Sequence, residues 1–333
     1  MKRAFRKAIA FLSAVAVAAT MAVSASAASA ATRIVKDGKY KQVIATEAGL
    51  YFTNFSEAEI NSKSSNKTVL CVTPDGKKNQ VKIKDSADVA WCGSVNTSSV
   101  FTYGYSNWIE LDYSGFTRTN CVFANGKTLN IKGSRGWANS STNYNEYIYT
   151  KDTNASAFKI YNDKGKTVGS VPYSSLKGVD TYLIESFNLE YYDSDTKTAL
   201  LCGYDFKSDA MKYWLVRNNK TIKTFVSDSA SLVKDKSGSC AVRTYDYDKE
   251  VNSRETYYSA KTGKKISNFE EAGYSYTEKK YTVEESGSKY SVKKNGKAIY
   301  SIAKKKAAGY YVYNNSVAIV TKSGSKYGLI LVK

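Results

Sequence analysis

Four short apolar segments follow one another between residues 187 and 225: Phe187-Asn188-Leu189-Glu190-Tyr191-Tyr192, Ala199-Leu200-Leu201-Cys202-Gly203-Tyr204, Lys212-Tyr213-Trp214-Leu215-Val216-Arg217 and Thr221-Ile222-Lys223-Thr224-Phe225. Each is five or six residues long, and the linkers between them, such as Asp193-Ser194-Asp195-Thr196 and Asn218-Asn219-Lys220, are polar. Apolar runs of this length with Asp, Asn and Ser punctuation read as consecutive antiparallel strands. The pattern returns in Ser231 to Lys234, Ser239 to Asp246, Glu255 to Ser259 and Lys265 to Phe269. It returns again in Tyr274 to Glu278, Lys280 to Glu284, Lys289 to Lys293 and Ala298 to Ile302.

Six turns then align along the chain: Asp75-Gly76-Lys77, Asn125-Gly126-Lys127, Lys164-Gly165-Lys166, Asn218-Asn219-Lys220, Thr262-Gly263-Lys264 and Asn295-Gly296-Lys297. A Gly or Asn there can adopt positive φ, which tight hairpin turns require and β-branched residues resist. Three residues beyond the Gly, or beyond Asn219, stands Leu129, Val168, Ile222, Ile266 or Ile299. Six beyond stands Val171, Phe225, Phe269 or Ile302 in the last four units. Cys71 and Cys121 each lie five residues ahead of their Gly, and the first unit, with Asn79 in the apolar place, fits least well.

A four-stranded sheet cannot cover both of its faces alone, so repeated sheets must stack on their neighbours. Residues 32–333 divided among seven units give about 43 residues each, within the range of a propeller blade. The last unit offers only Tyr310 to Tyr313, Val317 to Thr321 and Tyr327 to Val332, and Arg33-Ile34-Val35-Lys36 can supply its fourth strand. On these features the chain resembles an all-β, secreted bacterial β-propeller, most simply one of seven four-stranded blades closed by pairing of the N-terminal strand with the C-terminal blade. Six blades, or a pair of β-sandwiches, also fit the pattern. The Trp-Asp and Gly-His signatures of WD repeats and the Ser-x-Asp-x-Gly-x-x-Trp box of sialidases are absent. Lys326-Tyr327-Gly328-Leu329-Ile330 is similar to the Tyr-Gly signature of secreted bacterial repeat proteins.

Residues 1–31 are read apart from the fold. Lys2, Arg3, Arg6 and Lys7 precede an apolar run from Ala8 to Val23 and then Ala25-Ser26-Ala27 and Ala28-Ser29-Ala30. This is the order of a secretory signal peptide, cleaved between about Ala27 and Ala31. Residues 32–333 are expected to form one propeller domain, secreted and without a later segment apolar enough to span a membrane, with association at the cell wall as an extension of that reading. Removing the leader takes four positive charges and no acids, leaving +15 of the +19. Such a basic chain favours encounter with anionic surfaces and polymers.

The chain has no His, which excludes Ser-His-Asp and Cys-His relays and histidine-ligated metals. Its five cysteines, 71, 92, 121, 202 and 240, lack a Cys-x-x-Cys and mostly sit in apolar runs. They read as small buried hydrophobes, with one or two disulfides as the alternative in an exported protein.

Three features could carry chemistry. Trp137, with Arg135 and Asn139 in a polar, Gly-rich stretch read as a loop, and Trp108, near Tyr103, Tyr105 and Tyr113, are candidates for stacking on sugar rings. Trp91 and Trp214 lie in apolar runs and are expected in the core. After Glu285 there are ten lysines and no acid. Lys293, Lys294, Lys297, Lys304, Lys305 and Lys306 are therefore candidates for polyanion binding, in a basic sector joined by Arg33, Lys36, Lys39 and Lys41. Lysines at sheet edges also protect against strand-to-strand aggregation. Asp193-Ser194-Asp195 and Asp246-Tyr247-Asp248 could ligate calcium or, with Glu185 and Glu190, act as paired acids, but Asp is also favoured at hairpin ends.

The expected function is a non-enzymatic, exported binding or scaffold propeller, retained at an anionic envelope or binding polysaccharide. The alternatives are a carbohydrate-active, glycoside hydrolase-like enzyme and a protein-interaction module of a secreted assembly. The expected partner is a cell-wall or other anionic polysaccharide, or a protein, bound by a monomer. No cofactor or metal enters this reading, and nucleic acid is set aside because the chain is read as exported and Arg is scarce beside Lys.

Overall fold

The computed structural model describes residues 30–38, 40–56, 59–60, 66–85, 89–93, 101–103, 106–113, 118–140, 146–151, 156–176, 187–205, 209–247, 254–272 and 279–333, without the side chains of 89–93, 101–103 and 205. The leader, Lys39, Tyr105, Glu185, Asp248 and the expected strand Tyr274 to Glu278 lie outside the described residues, as do the side chains of Trp91, Cys92 and Tyr103. The chain divides into two compact units, one of Met1–Ser86, Val95–Tyr103 and Thr277–Lys333, the other of Ala87–Ser94 and Gly104–Tyr276. No helix among the described residues is long and apolar enough to cross a membrane.

The first unit holds three sheets. β1 (Ala31–Val35) pairs antiparallel with β28 (Lys326–Val332), which continues to β27 (Val317–Ser323) and β26 (Ala307–Val312). The N-terminal strand thus completes the C-terminal sheet, in the register Ala31 to Val332 and Thr32 to Leu331. A second sheet runs through β2 (Gln42–Thr46), β3 (Gly49–Thr53), β4 (Thr68–Val72) and β5 (Lys78–Lys82), and β7 (Phe101–Tyr103) adds to it, parallel to β2. A third comprises β23 (Tyr281–Ser286), β24 (Lys289–Lys294) and β25 (Lys297–Ala303).

The second unit holds four sheets of four strands. They are β6 (Val89–Gly93), β8 (Trp108–Tyr113), β9 (Arg118–Phe123) and β10 (Thr128–Lys132); β11 (Ser134–Ala138), β12 (Tyr147–Lys151), β13 (Ala157–Asn162) and β14 (Thr167–Pro172); β15 (Asn188–Asp193), β16 (Thr198–Asp205), β17 (Ala210–Arg217) and β18 (Lys220–Val226); and β19 (Ser229–Lys234), β20 (Cys240–Asp246), β21 (Arg254–Ser259) and β22 (Lys265–Ile266). Among the described residues seven sheets follow one another, the last completed by the first strand, in the order of an all-β propeller.

Apolar side chains meet between successive sheets, as the stacking argument requires. Trp108, Cys121, Phe123 and Ile131 of one sheet pack with Ile148 of the next. Phe158, Ile160 and Val171 then meet Leu189, Leu201 and Trp214, and Leu200, Tyr213 and Phe225 meet Leu232 and Val242. In the first unit, Val43, Leu50 and Phe52 meet Ala318, Val320 and Leu329. Burying one such aliphatic or aromatic side chain stabilises by about 1.5 to 3 kcal/mol. Trp214 belongs to this core.

All six aligned turns contain the expected positive φ: Gly76, Gly126, Gly165, Asn219, Gly263 and Gly296 lie between +63° and +91°. Gly165 is constrained twice, because a Cβ there would sit 2.6 Å from the Phe123 ring of the preceding sheet.

The imperfect spacing after these turns has a structural cause. Val168, Ile222 and Ile299 are the extra residues of β-bulges, where β14, β18 and β25 shift register against their partners. A bulge inserts one residue, so the inward-facing Val171 and Phe225 come six residues after the turn. β5 and β10 pair without a shift, and the corresponding Val81 and Ile131 come five residues after it. Cys71 and Cys121 occupy matching places, opposite Asn79 and Leu129.

Candidate functional site

In a β-strand, residues two apart share a face. On β8 this aligns Trp108, Glu110 and Asp112, and on β11, the first strand of the next sheet, it aligns Arg135 and Trp137. The two faces meet. The Arg135 Nε donates to Glu110 Oε2 at 2.8 Å, and its Nη2 lies 2.6 Å from the same oxygen and 3.0 Å from Asp112 Oδ2. Glu110 Oε1 accepts both indole N–H groups, from Trp108 at 2.9 Å and from Trp137 at 2.8 Å. Asp112 Oδ1 accepts the Thr119 hydroxyl from the neighbouring strand β9.

The carboxylates are 4% exposed and the guanidinium 17%. Buried charges of this kind persist only when paired and hydrogen-bonded. Two acids against one guanidinium leave one net negative charge, which the two indoles and Thr119 share. Burial opposes the charge on Arg135, but Glu110 and Asp112 more than offset it and hold its pKa above the ordinary value. Burial also pushes the thiol of Cys121, opposite Glu110 on β9, well up, with further contributions from Glu110 and Asp112.

The four candidate sugar-binding residues therefore divide. Trp137 is 46% exposed, with its indole N–H tied to Glu110. It lies within β11, which corrects the loop reading. Arg135 sits behind it, its guanidinium carbon 5.7 Å from the ring centroid. Trp108 is wholly buried, so its expected place on a solvent-facing platform is corrected: it braces Glu110 from within the core. Asn139 uses its main chain to join sheets, donating to Glu190 O and accepting from Tyr192 N, both at 2.8 Å.

Gly136 stands between the two site residues of β11 and faces the other way. A Cβ there would fall 2.3 Å from the Tyr149 hydroxyl on β12. The Tyr149 ring therefore occupies the space that a side chain at 136 would take.

The C-terminal lysines are not a uniform basic face. Lys293 pairs with Glu284 at 2.7 Å and Lys304 with Glu285 at 2.9 Å, both acids lying on β23. Lys294 lies over the Tyr281 ring, its Nζ 5.2 Å from the centroid. Arg33 pairs with Asp37 at 3.2 Å, and Lys41 with Glu59. Lys297, Lys305 and Lys306 are exposed.

Asp193 is the last residue of β15 and holds the turn that follows: it accepts Asp195 N, Thr196 Oγ1, Lys234 Nζ and Cys240 Sγ. Burial raises its carboxyl, but the hydrogen bonds from Cys240, Thr196 and Lys234 more than offset this and leave its pKa lowered. Asp246 accepts the Ser227 hydroxyl at 2.9 Å, and Glu190 accepts the Cys202 thiol at 3.0 Å. Among the described residues no group of three or more Cys, Asp or Glu could hold a metal ion. Cys71, Cys121, Cys202 and Cys240 are buried free thiols.

Glu110 and Asp112 were not among the residues singled out from the sequence. The available signal was the alternation Trp108-x-Glu110-x-Asp112, which places two acids in a strand that otherwise reads as core, and the matching Arg135-x-Trp137.

Sheet order and site together define an all-β protein of the β-propeller class. The chain matches no protein-family model and no curated protein. Among solved structures it is similar to the WD40 domain of Toxoplasma gondii coronin, at 6% identity over 91% of this chain and 84% of that one, with a TM-score of 0.26. It is also similar to the β-propeller domain of the trilobed protease from Pyrococcus furiosus, at 8% identity over 90% and 82%, with a TM-score of 0.25. A streptogramin B lyase gives 9% identity over 91% and 97%, with a TM-score of 0.24. Likeness at these scores carries no argument, and the class rests on the sheets and their order.

Proposed function

We propose that this chain is an exported, non-enzymatic binding module whose Trp137 face stacks on a sugar ring of a glycan. The observation that carries this reading is the half-exposed Trp137 whose indole N–H is fixed by a buried carboxylate. A Trp ring supplies a large amphipathic contact area with few torsions to freeze, and pinning one edge lowers that cost further. The Arg135, Glu110 and Asp112 cluster supports the ring. Both Glu110 oxygens are already engaged by Arg135 and the two indoles, which favours a holding role over proton transfer. The exposed Lys297, Lys305 and Lys306 would add a diffuse, salt-sensitive attraction to an anionic cell envelope.

Calorimetric titration with cellohexaose, xylohexaose and chitohexaose, and pull-down on purified peptidoglycan, test the reading. Binding of at least one of these, weakened about tenfold or more by Trp137→Ala (a loss of about 1.4 kcal/mol) with the fold retained, is the expected result. Undiminished affinity in W137A, or no binding to any of the four, would overturn it.

A further inference from the structure

A second feature of the unit containing Trp137 has no part in that site. An open pocket of about 700 Å³ is lined by Lys159, Tyr161, Thr167 and Ser170 of one sheet and by Lys197, Asn218 and Asn219 from turns of the next, with Tyr192 and Gly169 also in its wall. Its volume falls in the range of small-ligand sites, about 300 to 1,000 Å³.

The strand register explains how the polar groups come to one wall. Lys159 stands opposite Ser170, and Tyr161 opposite Thr167, on the β13–β14 pair. Residues paired directly across an antiparallel ladder project to the same face. The rest of the polar lining comes from turn residues of the next sheet in the left-handed region, Lys197 at φ +50°, Asn218 at +48° and Asn219 at +63°. The Tyr192 hydroxyl donates to Val168 O at 3.3 Å. A Cβ on Gly169 would fall 1.9 Å from that hydroxyl, so the glycine leaves the room that this contact needs.

The chemistry of the lining is one-sided. Two ammonium groups are joined by the hydroxyls of Tyr161, Thr167 and Ser170 and the amides of Asn218 and Asn219, and none of the lining residues is acidic. Two ammonium groups with no acid among the lining residues favour an anion over a cation. The hydroxyls and amides suit a ligand that both donates and accepts around its rim. We propose that this pocket binds an acidic sugar unit, a polyhydroxylated ring carrying a carboxylate or phosphate group. Lys159 and Lys197 take the anion, and Asn218, Asn219, Ser170 and Thr167 take the ring hydroxyls. This site is independent of the Trp137 platform and does not rest on it.

Titration with trigalacturonate, its neutral methyl ester, glucose 6-phosphate and glucose tests the assignment. The chain is basic enough to attract any anion, so the control must match charge: Lys159→Gln/Lys197→Gln against Lys264→Gln/Lys265→Gln, two exposed lysines with no part in either site. The expected result is that trigalacturonate or glucose 6-phosphate binds at least tenfold better than its uncharged counterpart. Binding should fall at least tenfold in K159Q/K197Q and stay unchanged in K264Q/K265Q. Whichever acid binds tighter identifies the source of the anion. Equal losses in the two double-lysine variants, equal binding of acid and neutral probes, or no binding of either acid would overturn the proposal. Circular dichroism and melting of K159Q/K197Q, which changes two exposed side chains, separate lost binding from lost fold.

Discussion

Trp108 and Trp137, one wholly buried and one half in solvent, donate their indole N–H groups to the same oxygen, Glu110 Oε1, at 2.9 and 2.8 Å. The shared acceptor couples a surface ring to the interior of the sheet stack. Glu110→Gln keeps the size of the side chain but removes the charge that Arg135 neutralises. Arg135 keeps Asp112 as its anion, so the cost is that of weakened charge-assisted hydrogen bonds, about 1.5 to 3 kcal/mol, and urea denaturation of E110Q is expected to show a loss of that order. Acrylamide quenching should rise in the same variant, because the Trp137 N–H is left with a weaker, uncharged acceptor.

Arg135 is expected to behave differently alone and in company. Arg135→Met strands two buried carboxylates and is expected to cost about 3 to 5 kcal/mol, whereas a triple variant that also carries E110Q and D112N should recover much of that loss, because neutral groups no longer need the guanidinium. Denaturant midpoints of the single and triple variants read this directly. A triple variant as unstable as R135M would mean that Arg135 acts mainly by packing.

Acid sensitivity is expected at Asp193. Its pKa is lowered in the folded chain, through Cys240, Thr196 and Lys234 acting against burial. The unfolded chain therefore binds the proton first, near the ordinary value of about 4. The stabilisation is fully present above that value and is lost as pH falls through the lower folded value. Asp193→Asn should be less stable than the parent at neutral pH, with the gap closing on acidification. Unfolding free energies of both proteins measured between pH 2 and 6 check the sign.

The thiols set an alkaline counterpart. Burial pushes Cys71 up to about 12, and burial together with Asp193 pushes Cys240 to about 12. An unfolded thiol ionises near 8.5, so the unfolded chain loses these protons first and stability is expected to fall as pH rises from about 8.5 towards 12. Site-resolved alkylation with iodoacetamide should leave Cys71, Cys121, Cys202 and Cys240 unmodified in the native protein at pH 8 and label them in urea.

Gly136→Ala tests the backbone beneath the site. The added Cβ meets the Tyr149 hydroxyl at 2.3 Å, and overpacking of this kind typically costs about 1 to 3 kcal/mol. Tyr149 must turn away or β11 must shift to admit the methyl, and a change in the indole emission of Trp137 beside the loss of stability reports the shift.

Much of the fold was legible because its signals are local. A turn needs positive φ at one residue, and Gly76, Gly126, Gly165, Asn219, Gly263 and Gly296 announce it. The pairing of β1 with β28 followed from the three-stranded end of the chain. What stayed hidden depends on register and neighbours. Val168, Ile222 and Ile299 look like regular strand residues, and only the ladder reveals them as bulges. The parallel addition of β7 to β2 has no sequence mark in a three-residue strand. The candidate site was half legible: Trp137 and Arg135 stand out by residue type, but the acids they bind lie 23 to 27 residues away on another sheet. Trp108 was misplaced because all six residues of β8 are buried, and a strand covered on both faces by its neighbours is not marked by the alternation of its own residues.

The central claim is that the fixed, half-exposed ring of Trp137 is the glycan contact. The most direct measurement is a titration of 15N-indole-labelled protein with the oligosaccharide it binds, following each Trp N–H resonance by NMR. The expected result is a saturable shift of the Trp137 resonance, with the buried Trp108 and Trp214 moving less. Saturable binding that leaves Trp137 unchanged would contradict it.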